Sequence, residues 1–253
     1  MKFNTYFGKK VEGAYEAYLE RTKQEKEDPE LKTSQIFDVR ADIKGEDYIR
    51  IPNTNIIIAR QEQYKNKDWA DTHYALAENG LFMPSPKIFM PYFVQVRDAV
   101  QGKIKLYTAD NREVPRDEAE ELWKYLSTSH KGGCWTWLDA KFSQENNAWK
   151  MTHTHKVIQK GKELKGKAET LESCIREDGF VGLDFNSQGL PIKKSSLSKY
   201  KQGENIQYWH PRNGTVARFD AESGRVGLSC FWNPRYSNPA LGVFSCAEGA
   251  QKN

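Results

Sequence analysis

The chain has 253 residues, with 38 Lys+Arg against 34 Asp+Glu, a formal charge of +4 and 12% aromatic residues. That length buries a full hydrophobic core, and that aromatic load excludes a disordered tether. Apolar runs no longer than Ile56–Ala59 argue against a membrane-spanning helix, and four widely spaced cysteines without a CxxC argue against a zinc ribbon, an iron–sulfur site or a disulfide framework.

In chain order, Val11, Tyr15, Tyr18 and Leu19 recur at helical spacing and predict a helix over 11–28, ended by the polar run Lys23 to Ser34. Tyr48 to Ala59 reads as strand, turn, strand around Pro52-Asn53-Thr54-Asn55. Asp68 to Asn79 reads as a helix closed by Gly80, burying Trp69, Tyr74 and Leu76. Pro84 and Pro91 interrupt the apolar stretch that follows, which predicts a packed irregular segment leading into a helix from Val94 to Val100. Ile104 to Thr108 reads as a strand. Pro115 opens a helix with Asp117 and Glu118 in its first turn. Gly132 to Ala140 is a dense aromatic cluster, and Met151 to Val157 alternates as a strand. After residue 180, Gly and Pro turns separate short strands. The pattern is α+β, with helices early and a loop-rich antiparallel sheet late.

Residues 156–201 carry 10 Lys+Arg and 6 Asp+Glu and so hold the whole positive excess. Lys160, Lys162, Lys165 and Lys167 alternate with Gly rather than with stacking aromatics, which predicts a solvated segment rather than a nucleic-acid groove. His153 and His155 share one face of a strand, as metal ligands would. A third ligand would have to come from His73, His130, His210 or a carboxylate, and no HExxH-type spacing supports one. No nucleophile elbow or phosphate loop is present, and Glu120-Glu121 reads as surface. The expectation is of no catalysis, no metal and no cofactor.

The C-terminal stretch is the most informative. Val226, Leu228 and Cys230 alternate with Arg225, Gly227, Ser229 and Phe231, which assigns the first set to the core and the second to the outside. Arg218, Asp220, Arg225, Arg235 and Asn238 are expected to be exposed. Aromatics beside Arg, Asn and Ser have the composition of a recognition surface.

Trp135-Thr136-Trp137-Leu138-Asp139-Ala140, Gly182-Leu183-Asp184, Val216 to Ala221, Leu228-Ser229-Cys230 and Leu241 to Gly249 together resemble the variable proteins of diversity-generating retroelements. Those proteins have a C-type-lectin-like fold, and the same C-terminal architecture is similar to that of formylglycine-generating enzymes. The resemblance implies a single C-type-lectin-like domain over 1–253, with loop-rich antiparallel sheets and flanking helices. An N-terminal helical extension would cover about 1–47 and a variable region about 216–244. In such proteins error-prone reverse transcription replaces template adenines, and the fold displays the altered side chains for ligand binding. The diversified positions would be Phe219, Asp220, Glu222, Arg225, Gly227, Ser229, Phe231, Trp232, Asn233, Arg235, Tyr236 and Asn238. Val226, Leu228, Leu241 and Val243 would form the frame. The implied partner is a protein or surface molecule, not nucleic acid. Without a signal-like stretch at Met1–Asn4, the default expectation is the cytoplasm.

Three rivals stand beside that reading. An oxidoreductase of the formylglycine-generating type would need reactive Cys230 and Cys246 in an open groove. A nucleic-acid binder would use Lys160 to Lys167 and Lys193 to Lys201. A phage-like or cell-surface structural subunit could carry the same fold.

Overall fold

A computed structural model describes residues 42–158, 163–222 and 224–249, and the backbone alone of residues 5–6, 9–10, 37–38 and 250–251. The chain divides into two units, Met1–Ile36 with Gln251–Asn253, and Phe37–Ala250. In the first, Thr5–Tyr6 pairs antiparallel with Lys9–Lys10. The helix expected over 11–28 lies outside the described residues.

The second unit is α+β. Its first strands, β1 (Tyr48–Arg50) and β2 (Ile56–Ala59), flank the turn that the sequence marks. Helix α1 (Trp69–Glu78) starts where the Asp68 carboxylate accepts from Asp71 N, 2.8 Å away. Helix α2 (Pro86–Val100) begins on a proline whose fixed φ suits a first turn. The expected irregular segment over Phe89–Phe93 is therefore helical. Pro91 is tolerated because it and Lys87, whose carbonyl loses a donor, both lie on the exposed face. Helix α3 (Arg116–Ser127) follows, with Asp117 and Glu118 in its first turn as anticipated. The strand expected at Ile104–Thr108 reduces to single bridges, Ile49 with Thr108 and Tyr107 with Glu113.

The remaining strands are β3 (Cys134–Glu145), β4 (Ala148–Ile158), β5 (Glu163–Thr170), β6 (Gly179–Gly182), β7 (Asn205–Trp209), β8 (Val216–Glu222), β9 (Arg225–Trp232) and β10 (Cys246–Glu248). Seven of them form a mixed sheet in the order β5-β4-β3-β8-β9-β7-β6, in which only β7 and β9 run parallel. A smaller antiparallel sheet has the order β10-β2-β1. Lys165 and Lys167 lie exposed on β5, an edge of the large sheet, and so belong to a strand rather than a loop. Charged side chains there discourage pairing with another chain. No described helix is long and apolar enough to cross a membrane.

The middle of the large sheet is covered on both faces. Ala217, Phe219, Ala221, Val226, Leu228 and Cys230 join the core under α2 and α3. Phe219 packs against Phe89 and Phe93 of α2, with ring centroids 4.9 and 5.3 Å away. Behind the sheet, Val216 and Trp137 pack with Trp69, Leu76, Met83, Leu241 and Val243. The frame residues Val226, Leu228, Leu241 and Val243 are all fully buried.

Phe219→Ala should cost about 3–5 kcal/mol, because it opens a cavity between helix and sheet that neither can collapse to fill. Urea unfolding of the two proteins measures it.

Candidate functional site

Two bulges make a buried polar pocket between the sheet and α1. The β8–β3 register shifts between Val216 and Ala217, opposite Leu138 to Lys141, and there Asp139 N donates to Pro84 O instead of to a strand, 2.9 Å away. The β4–β5 register shifts between His153 and Lys156, where Thr154 takes a positive φ of 55°. Bulges re-aim side chains out of strict alternation. Here His153 and His155 part company. His153 Nε2 lies 3.0 Å from Glu169 Oε1 on β5. His155 turns to Asp139, with its backbone N 2.9 Å from Oδ2 and its Nδ1 2.5 Å from Oδ1.

Helix α1 adds the third group. Trp69 and His73 are one turn apart and point the same way. Trp69 Nε1 donates to Leu138 O at 3.0 Å, and its ring meets those of His73 and His155 edge-on, at 4.4 and 4.9 Å. His73 Nε2 then lies 3.6 Å from Asp139 Oδ1 and has no hydrogen-bond partner among the described residues. One donor atom from each of His73, Asp139 and His155 falls within 4.8 Å of the other two. Gly166 of β5 lets His155 sit there, since a Cβ at that position would be 2.6 Å from His155 Nε2. His155 also lines a cavity of about 320 Å³.

Burial lowers the His73 pKa to about 4, against the opposing pull of Asp139, so its imidazole is neutral at physiological pH. The neutral ring is the form that binds a metal. A second perturbed group lies near Cys134. Burial raises the Glu62 pKa to about 7, although the carboxylate accepts from Tyr125 Oη at 2.9 Å and has Lys65 Nζ 3.8 Å away.

The positions assigned to a diversified surface do not share one exposed face. Phe219, Asp220, Gly227 and Ser229 are buried. Glu222, Arg225, Trp232, Tyr236 and Asn238 are half-buried, and Phe231, Asn233 and Arg235 are exposed. The exposure expected of Arg218 and Asp220 is overturned, each being 2% exposed. Val226, Leu228 and Cys230 point into the core as alternation requires, but the outward face of β8 and β9 is covered by a second layer. Arg218 is ion-paired with Asp220 and sandwiched between two rings, 3.4 Å from the Trp232 centroid and 4.7 Å from that of Trp135. Ser229 Oγ donates to Asp220 Oδ2 at 3.0 Å. Cys230 and Cys246 are free, buried thiols whose pKa values burial pushes well up, which removes the thiolate that cysteine-based oxidation needs.

Comparison with protein-family models, with curated proteins and with solved structures finds no match. The function therefore has to be read from the site. The expectation of a non-catalytic chain without metal ligands is overturned by the buried His73–Asp139–His155 cluster, which is able to coordinate a metal ion. Two of its members, Asp139 and His155, lie in segments that the sequence makes conspicuous. His73 on α1 carries no local signal.

The two perturbed groups oppose each other in their effect on stability. Between pH 4 and 6.5 the unfolded chain protonates His73 and the native state does not, so stability rises with pH by about 1.4 kcal/mol per unit. Between pH 4.5 and 7 the native state holds a proton on Glu62 that the unfolded chain releases, so stability falls with pH by the same slope. Their effects cancel between pH 4.5 and 6.5. Glu62→Gln should unmask a gain of about 3 kcal/mol from pH 4.5 to 6.5 relative to wild type, read by urea unfolding at each pH. A variant curve parallel to wild type would sink this account.

Proposed function

We propose that the protein is a metal-dependent enzyme that holds a divalent transition-metal ion through His73, Asp139 and His155. The observation that carries the reading is the convergence of the three donors within 4.8 Å around a buried His73 Nε2 that has no hydrogen-bond partner among the described residues. Two imidazoles and one carboxylate suit Zn²⁺ and its neighbours, and leave coordination positions open. An ion bound there would supply a Lewis acid and an activated water. The chain's own groups do the rest. His73 offers a lone pair because burial keeps it neutral. Asp139 supplies the negative charge and is held by the His155 amide. Trp69 packs against both imidazoles and excludes water from the side of α1.

Calorimetric titration of the chelator-treated chain with Zn²⁺ should show one equivalent bound. His73→Ala and Asp139→Ala should each weaken binding at least about tenfold, and His153→Ala should not. Absence of saturable binding in a wild-type chain that remains folded by circular dichroism would falsify the reading.

A second reading keeps the resemblance to retroelement-diversified proteins. It is favoured by an aromatic ladder at the C-terminal surface. Trp209 and Phe231 have centroids 6.1 Å apart, Phe231 stacks on Trp232 at 5.5 Å, and Trp232 meets Tyr236 at 4.9 Å. Phe231 is 39% exposed, so a ligand could lie on it. This reading expects a near-copy of the DNA for residues 216–244 beside the gene, differing only at template adenines. Sequencing the locus tests it, and absence of both the copy and a neighbouring reverse transcriptase rules it out.

A further inference from the structure

We infer that the cavity beside His155 takes a small organic anion, a molecule with an apolar body and one carboxylate or phosphate group. The inference rests on the metal-site reading only through His155, the one proposed ligand that lines the cavity. The cavity measures about 320 Å³ and is lined by His155, Trp69, Leu164, Pro234, Lys141 and Arg235. That volume lies at the small end of ligand pockets and suits a molecule rather than a chain. Its composition divides cleanly. Trp69, Leu164 and Pro234 offer flat and aliphatic surface. Lys141 and Arg235 are exposed cations, and neither has an ion-pair partner among the described residues.

Some cations on this surface are paired, as Arg116 is with Glu120 and Lys194 with Glu177, and others such as Lys87 and Lys193 have no ion pair among the described residues; Lys141 and Arg235 are set apart because both line one cavity. Two cations lining one cavity, beside an imidazole, are a recognition arrangement for an anion. The one carboxylate on the lining, Asp68, is already engaged, its Oδ1 accepting from Asp71 N at 2.8 Å. The cations come from β3 and from the loop after β9, and His155 comes from β4. An anion held by Lys141 and Arg235 would therefore place its body against Trp69 and its far side toward the His155 ring.

The test is calorimetric titration of the full chain with phenyl phosphate, with benzoate and with uncharged benzyl alcohol, each with and without one equivalent of Zn²⁺. The expected result is single-site binding of an anion but not of benzyl alcohol. Lys141→Gln and Arg235→Gln should each weaken it about tenfold, while Zn²⁺ stoichiometry stays unchanged and Lys199→Gln, away from the cavity, has no effect. The preferred headgroup, phosphate or carboxylate, follows from which probe binds more tightly. No binding of either anion, or equal binding to all three variants, overturns the inference and leaves the metal site standing. Anion binding in a chain that takes up no Zn²⁺ overturns the metal site and leaves the inference standing.

Discussion

The middle of the large sheet has no face open to water, and the rest of the structure follows from that. Helices α2 and α3 cover one side of β8 and β9, and α1 with the 233–243 segment covers the other. Any polar group on these strands must then find a partner inside the protein. Arg218 and Asp220 answer by pairing with each other, stacking on tryptophan and taking a hydroxyl from Ser229. Such a buried pair adds little net stability, but removing one partner strands the other, at a cost of about 3–5 kcal/mol.

The His73–Asp139–His155 cluster meets the same constraint differently. Asp139 spends both oxygens on His155, and His73 Nε2 is left without a hydrogen-bond partner among the described residues. What distinguishes this cluster from the Arg218 pair is its chemistry: two imidazoles and a carboxylate can each offer a lone pair, whereas the guanidinium offers only donors and is closed by rings on both sides. The bulges that produce it also explain its position. Where β3 and β4 stop following their neighbours, the Asp139 carboxylate takes over the work of a ladder bond and holds the His155 amide.

Much of the fold is legible in the sequence because local chemistry is strong there. Asp68 announces the start of α1, Pro115 and its acidic first turn announce α3, and the inward set Val226, Leu228 and Cys230 follows from simple alternation. Alternation fixes which side chains share a face, but not whether that face meets water. That is why Arg218, Asp220, Gly227 and Ser229 read as surface and are buried. Pro91 reads as a helix breaker because its solvent-facing position in α2 depends on what α2 packs against. The site was half visible. His155 and Asp139 sit in conspicuous segments, and His73 was one of several histidines that could complete a ligand set. The choice between His153 and His155 depends on Thr154 adopting a positive φ, which no local residue pattern requires.

The small sheet links distant parts of the sequence. β10, at Cys246–Glu248, lies against β2, at Ile56–Ala59. Strand β2 therefore has a free edge until the last residues of this unit leave the ribosome, and β8 must wait for β9 to complete the large sheet. Contacts so far apart along the chain make folding slow and late. The nascent protein would spend most of its synthesis with Ile57 and Ile58 uncovered, so a chaperone that shields strand edges would matter more to its yield than to its final stability.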